Sequence, residues 1–318
     1  MIKRILFTGS NGQIGSELSR AFRKIYGNEN VIVTDIAPNS KVADDHYEQL
    51  DVLDADRLAK LVDTYKVDAI VHLAALLSAV GEQKPQLAWN INMNGTINVF
   101  EVAREKKLQR VFVPSSIGVF GSTTPLDNTP QDTVLQPSTM YGITKVSGEL
   151  LGDYYVKKYG LDIRGLRYPG IISNDTLPGG GTTDYAVAIY YDAIKQGSYE
   201  CFLSENTMLP MMYMPDCIKA TTDLFQADFS KLKHHTGFNL AAFSVTPKDM
   251  AASIRKYIPN FTISYKPDFR QAIADSWPNT IDDSAARTEW QWKPNYDLDT
   301  MTQDMLKVIG DKHTKGLL

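Results

Sequence analysis

Tyr141 and Lys145, in the stretch YGITK, stand four residues apart, so on a helix both side chains project from one face. An ammonium held beside a phenol favours the phenolate and lowers a reference pKa of about 10. That pairing turns a tyrosine into a general base near neutral pH. Upstream, PSSIGVFG places Ser115 and Ser116 at the end of an apolar run, and NINMNGT supplies Asn92. Tyr141 and Lys145, with Ser115, Ser116 and Asn92 upstream, are the groups that the rest of the chain must bring together.

A second constellation lies near the start. GSNGQIG places Gly9, Gly12 and Gly15 at the turn from an apolar run into a predicted helix. Glycines there let the backbone approach a pyrophosphate, whose charge is met by the helix N-terminus. Asp35 follows about 20 residues later at the end of a second apolar run, where a carboxylate accepts hydrogen bonds from ribose hydroxyls. The same carboxylate repels a 2′-phosphate, so NAD is favoured over NADP. In LDVLD, Asp51 is placed to reach an adenine edge and Asp54 to cap a helix. HLAA, residues 72 to 75, ends a strand with small residues over which a cofactor can lie, and His72 reads as a buried, satisfied side chain rather than a base. GGGTTDYAV, residues 179 to 187, is either a ligand loop or an ordinary Gly-rich helix start.

Parallel strands with helical crossovers would position these groups. RILFTG, NVIVTDI, DAIVHLAA, RVFVPSS and IRGLRYPGII read as buried strands, with IGSELSRAFRKIYG and DADRLAKLVDTYK as helices between them. This alternation predicts an α/β fold with a doubly wound parallel sheet. Residues 173 to 210, rich in Gly, Thr and Tyr, leave the sheet. PDCIKATTDLFQAD and TGFNLAA return to it as a helix and a strand, and TPKDMAASIRKYIP and TMTQDMLKVIGDK are helical by pattern. The expected division is a nucleotide-binding domain of residues 1–172 plus about 211–243, and a smaller, discontinuous C-terminal substrate domain of about 173–210 plus 244–318.

Composition narrows the function. The chain has 318 residues, 43% hydrophobic and 22% charged, as in a soluble globule. Its 33 Lys and Arg are scattered and outnumbered by 37 Asp and Glu, so neither nucleic acid nor an anionic membrane is an expected partner. No run approaches the ~18 apolar residues of a membrane span, and MIKRILFTGS is too short a run for a secretory signal. Cys201 and Cys217 stand outside any ligand spacing and read as reduced thiols of a cytoplasmic protein; the five histidines make no metal motif either. No metal is expected.

GSNGQIG, HLAA, NMNGT, PSSIGVFG, YGITK and LRYPGII, in this order, resemble the extended branch of the short-chain dehydrogenase/reductase superfamily along essentially the whole chain. The resemblance implies a Rossmann domain. It makes Tyr141 the acid/base, carries the serine role to Ser116, five positions before Gly121, and gives Lys145 the nicotinamide ribose. It further implies an NAD site of Gly9, Gly12, Gln13, Ile14, Gly15, Asp35, Ile36, Asp51, Val52, Leu73, Ala74, Ala75, Asn92, Tyr141, Lys145, Tyr168 and Pro169. Two positions depart from the pattern: Phe120 replaces the usual loop tyrosine, and YPGII replaces the usual Asn-containing stretch. Within the branch, HLAALLSA, PSSIGVFG, LRYPGII and GGGTTDYAV are similar to the short-chain type of L-threonine 3-dehydrogenase. That likeness implies a small zwitterionic substrate, the Gly181 and Thr N–H groups meeting its carboxylate and the Thr182 and Thr183 hydroxyls adding donors. Asp184 faces the ammonium or orients the threonines. Ser78 joins the pocket, and Trp277 belongs either to the pocket or to plain core packing. The resemblance also implies a homodimer joined by helices around 92–106 and 141–158.

The leading expectation is oxidation of threonine at Cβ by NAD, in threonine catabolism. A nucleotide-sugar epimerase or dehydratase of the same branch is the alternative, weakened because Lys195 is the only basic residue between Ser173 and Pro210. A non-catalytic NAD-sensing regulator is a third reading; it would have no use for Ser116, Tyr141 and Lys145.

Overall fold

The structure, a computed structural model, describes residues 2–41, 46–177 and 179–318. Among them, in chain order, run strands β1 (Ile5–Thr8), β2 (Val31–Asp35), β3 (Tyr47–Gln49), β4 (Ala69–His72), β5 (Arg110–Phe112), β6 (Ser115–Ser116) and β7 (Ile163–Arg164). Six of these form the central sheet in the order β3-β2-β1-β4-β5-β7, parallel throughout. β1 and β2 are buried almost end to end because helices cover both faces. One face packs Ile5, Phe7, Val31 and Val33 with Leu18 and Phe22 of helix Gln13–Tyr26; the other packs Leu6, Ile32 and Ile70 with Leu58, Val99 and Phe100. β2 and β4 flank β1 on opposite sides, the chain crossing back over from β3 to β4, so a crevice opens between the loops that follow β1 and β4. The doubly wound Rossmann sheet expected from the alternating pattern is present.

RVFVPSS and IRGLRYPGII each read as one strand, but the structure breaks both. Pro114 has no N–H to offer the ladder, and it divides β5 from β6. Gly165 separates β7 from β8 (Leu166–Tyr168), which pairs with β6 and with β12 (Phe238–Asn239). Pro169 then turns the chain out of that sheet into β9 (Gly170–Ile172), beside β11 (Leu209–Tyr213), which pairs antiparallel with β13 (Phe243–Val245). A separate parallel pair joins β10 (Ser198–Cys201) to β14 (Thr262–Tyr265).

Helices Tyr185–Gln196, Pro247–Arg255 and Leu298–Thr314 form a core of their own around Tyr190, Met250, Met301 and Ile309. The last two begin in capping boxes, Thr246 with Asp249 and Asp297 with Thr300. Ala286, Trp290 and Trp292, although late in the chain, pack under β1 and β2 instead. No helix among the described residues is long and apolar enough to cross a membrane.

Candidate active site

A cleft of about 460 Å³ opens where β1, β4 and β6 end. Gly9, Gly12, Gln13, Ile14 and Gly15 line one end of it, and Ser116, Tyr141, Lys145 and Thr183 the other. Gly9 has φ +69°, and a Cβ there would come within 2.6 Å of the Ala74 nitrogen, so only glycine fits the turn. Helix Gln13–Tyr26 starts at Gly12 with no side-chain cap, leaving its first N–H groups open to the cleft. Asp35, at the end of β2, accepts from the N–H groups of Asn11 and Ala37 at 3.0 and 3.2 Å. A glycine cradle, an uncapped helix start and a carboxylate at the second strand end fit a dinucleotide, pyrophosphate toward the helix and ribose toward Asp35.

The expected acid–base residues Tyr141 and Lys145 sit on helix Met140–Tyr159, whose start is capped by the Thr139 side chain accepting from Gly142 N–H at 3.0 Å. Tyr141 is buried and lines the cleft beside Ser116. Ser116 Oγ in turn accepts from Gly118 N–H at 3.1 Å. Lys145 Nζ donates to the Pro114 carbonyl at 2.8 Å, an acceptor left available by the strand break, and lies 5.5 Å from the centre of the Tyr141 ring. Here the spacing argument needs correction. Burial raises the Tyr141 phenol above its ordinary pKa, the Ser116 hydroxyl opposing, and the lysine does not reverse the rise. The physical reason is the desolvation of the phenol itself; Lys145 is buried as well, which pulls its own pKa down to about 8 against the raising influence of Glu149. His72 is confined by Thr8 and Thr96, at 2.7 and 3.3 Å on its two ring nitrogens, and burial followed by the charge of Lys145 pushes its pKa down to about 3. It is a neutral buried residue.

Asn92 lies in a π-helical turn, Asn90–Asn94, ahead of helix Gly95–Glu105. Its amide accepts from Leu76 N–H at 2.8 Å and donates to the Leu76 carbonyl at 3.1 Å and to Thr144 Oγ1 at 3.2 Å. Its side chain is thus spent on holding the loop after β4 against the helix of Tyr141. With Ala74, Asn92 lines a small cavity beside Lys145 that adjoins the cleft, not the cleft itself. Leu73, Ala75, Tyr168 and Pro169 line the cleft itself. Ile36 is exposed beside Asp35; Asp51 accepts from Leu53 N–H at 2.9 Å, and Val52 packs against Gly95, so none of these three is on the cleft wall.

The loop that opens GGGTTDYAV covers the cleft. Gly180 has φ +98°, and a Cβ there would strike Val80. Asp184 accepts from Gly180 N–H at 3.0 Å and from Gly181 N–H at 2.9 Å, so it orients neither threonine and its lone pairs are partly committed to glycines. Burial raises its pKa and those two N–H groups oppose the rise. Thr182 is buried and bound through both its hydroxyl and its N–H to Ser78 Oγ, at 3.1 and 3.3 Å. Gly181, Thr182 and Ser78 therefore build the wall, with their donors largely used. Trp277 combines the two alternatives left by the sequence: it is 5% exposed and packs in the core, yet it lines the cleft, and its buried indole N–H has no partner.

Asn11, Lys41, Leu76, Leu77, Val80, Ile117, Gly170, Ile171, Thr176 and Leu177 also line the cleft and were not anticipated. Most are apolar wall with no local signature. Glu149, buried one helical turn beyond Lys145, was legible in principle from its i+4 spacing.

Fold and cleft together define an oxidoreductase that uses a nicotinamide dinucleotide. Residues 5–241 match the NAD dependent epimerase/dehydratase family, and the chain belongs to that family, within the extended short-chain dehydrogenases/reductases. It is 49% identical over 317 residues to an uncharacterized epimerase/dehydratase of Staphylococcus aureus (strain USA300), with 98% of each chain covered. An L-threonine dehydrogenase from Phytophthora infestans superposes with a TM-score of 0.95 at 51% identity, covering 97% of this chain and 99% of that one. The holo form of a GalE-like L-threonine dehydrogenase from Cupriavidus necator gives 0.94 at 50% identity, covering 96% and 99%. The cofactor is NAD.

Proposed function

We propose that this protein oxidises L-threonine at the Cβ hydroxyl, giving 2-amino-3-oxobutanoate, NADH and a proton. NAD, bound along the glycine cradle, supplies the hydride acceptor. Tyr141 accepts the hydroxyl proton, Ser116 holds the same oxygen, and Lys145 stays beneath the phenol to bind the nicotinamide ribose and favour phenolate. Thr183 and Trp277 fix the amino-acid end, while Gly181, Thr182, Asp184 and Ser78 shape the wall behind it. Gly9, Gly12, Gln13, Ile14, Gly15, Leu73, Ala75, Tyr168 and Pro169 hold the dinucleotide. Residues 173–210 and 244–318, apart from the stretch around 284–292 that packs under β1 and β2, act as the substrate-covering part, and the enzyme works as a cytoplasmic homodimer in threonine catabolism.

The observation that carries this reading is the polarity of the cleft wall opposite the cofactor. Thr183 and Trp277 line it, the buried Trp277 indole N–H having no protein partner, whereas among the described residues the only basic ones on the cleft, Lys41 and Lys145, stand elsewhere. A nucleotide diphosphate would need cations on that wall; a small zwitterion is served by neutral donors. Purified protein with NAD and a panel of hydroxy-amino acids and UDP-sugars, followed by NADH absorbance, tests it. L-Threonine is expected to reduce NAD; inertness toward every amino acid together with epimerisation of a UDP-sugar would overturn the reading.

A further inference from the structure

Glu149 is a buried carboxylate that the reaction above does not use. Arg167 grips it through Nε and Nη2 at 3.0 and 2.8 Å, and Ser115 Oγ donates to the same group. Arg167 is held in turn by the Gln131 carbonyl at 2.9 Å and Asn239 Oδ1 at 3.0 Å. The carboxylate therefore has one fixed position, one helical turn beyond Lys145 on the same face. Both residues border the same small cavity of about 20 Å³, just enough for one water, which adjoins the cleft at Ala75, Pro114, Ser115 and Lys145.

We propose that Glu149 is a positioning residue for Lys145, a buried anion that keeps the lysine in its ammonium form and holds it between the Pro114 carbonyl and the phenol of Tyr141. This rests on the reading of Lys145 as part of the proton-transfer set. The groups facing the lysine leave no other candidate for that task among the described residues. Tyr141 is on its own helix and uncharged, and His72 on β4 is neutral and disfavours the ammonium whenever protonated. Arg167, on β8, is a cation that faces Glu149, not the lysine. Asn92, Thr96, Thr144 and Thr236 offer only dipoles. Burial alone drives a lysine toward the neutral amine, and Glu149 is the influence that opposes it here. The arrangement also explains why so large a polar cluster is buried under this helix: Arg167 neutralises the carboxylate enough to make it tolerable, and the network fixes that carboxylate at the cavity that Lys145 also borders.

The test reads the lysine directly. Protein grown with lysine carrying carbon-13 at Cε is titrated by NMR, the Lys145 resonance being assigned by its loss in K145M. In E149Q the midpoint is expected to fall by about one pH unit or more, with most of the shift restored in E149D. Because E149Q leaves Arg167 unpaired, the double variant E149Q/R167M, which removes the cation as well, is measured beside it; there a fall of about half that size is expected. An unchanged midpoint in whichever of these variants folds, judged by circular dichroism, overturns the proposal. The titration needs no substrate, so its outcome stands apart from whether threonine is the compound oxidised. If threonine is oxidised, the acid limb of kcat/KM should also move to higher pH in E149Q.

Discussion

Ser78 and Thr182 meet hydroxyl to hydroxyl at 3.1 Å although 104 residues separate them in the chain. The contact ties the loop that covers the cleft to the short helix Ser78–Gln83 beside the cofactor strand β4, so the substrate wall and the dinucleotide site are built against each other. Ser78→Ala leaves both the hydroxyl and the N–H of a buried threonine without a partner. A loss of about 1 to 3 kcal/mol is expected, read as a roughly 5- to 150-fold lower kcat/KM for threonine at nearly unchanged NAD affinity. Equal weakening of NAD binding would show that the contact serves the cofactor instead. Thr183→Ala, which removes an unpartnered donor, should act on threonine within the same range and leave stability untouched.

Tyr141→Phe keeps the ring that packs under Ser116 and removes the proton acceptor. Turnover should fall by about 10² to 10⁴, with NAD still binding by fluorescence titration. Near-normal turnover would end the assignment of Tyr141 as base.

Asp35→Ser removes one ribose acceptor and one negative charge at the end of β2. NAD should bind more weakly and NADP should gain, both read from KM values for the two cofactors. Equal use of NADP by the unaltered protein would remove Asp35 as the selector.

The buried lysine makes stability depend on pH in a definite direction. Its pKa falls from 10.5 in the unfolded chain to about 8 in the folded one, so above pH 8 the unfolded state holds more protons. The cost of the buried ammonium is fully present below about pH 8 and is relieved as pH rises toward 10.5. Relative to Lys145→Met, the wild type should therefore gain about 2 kcal/mol between pH 7 and pH 10, measured from urea midpoints. A stability difference independent of pH would contradict the burial argument.

Exposed Ile143, Leu150 and Tyr154 form a stripe on helix Met140–Tyr159, near exposed Leu87, Trp89 and Ile97. This is the surface proposed to join two copies. Light scattering at micromolar concentration should give a dimeric mass for the wild type and a monomeric mass for Leu150→Glu, since a charge in an apolar seam is costly. A monomeric wild type would dismiss the dimer.

The parts of this protein readable in its sequence are those that depend on near neighbours. Gly9, Gly12 and Gly15 act within one turn, Asp35 ends the very next strand, and Tyr141 and Lys145 share a helix face through a four-residue step; such spacings survive in one dimension. The alternation of apolar runs with amphipathic segments likewise specified a parallel sheet, because a crossover helix is the short route between parallel neighbours. Contacts closed across the chain were decided elsewhere. That Pro114 would split a strand and lend its carbonyl to Lys145, that Asn92 would be consumed by Leu76, and that Asp184 would turn to Gly180 and Gly181 all depend on which groups three-dimensional packing brings within hydrogen-bond reach. Burial settles the electrostatics in the same way. The YGITK spacing correctly sets an ammonium beside a phenol, but the pKa values follow from the depth at which the pair is buried and from Glu149, whose partner Arg167 arrives from a different strand. Spacing names the participants; desolvation and long-range pairing, which only the tertiary structure contains, set their charge.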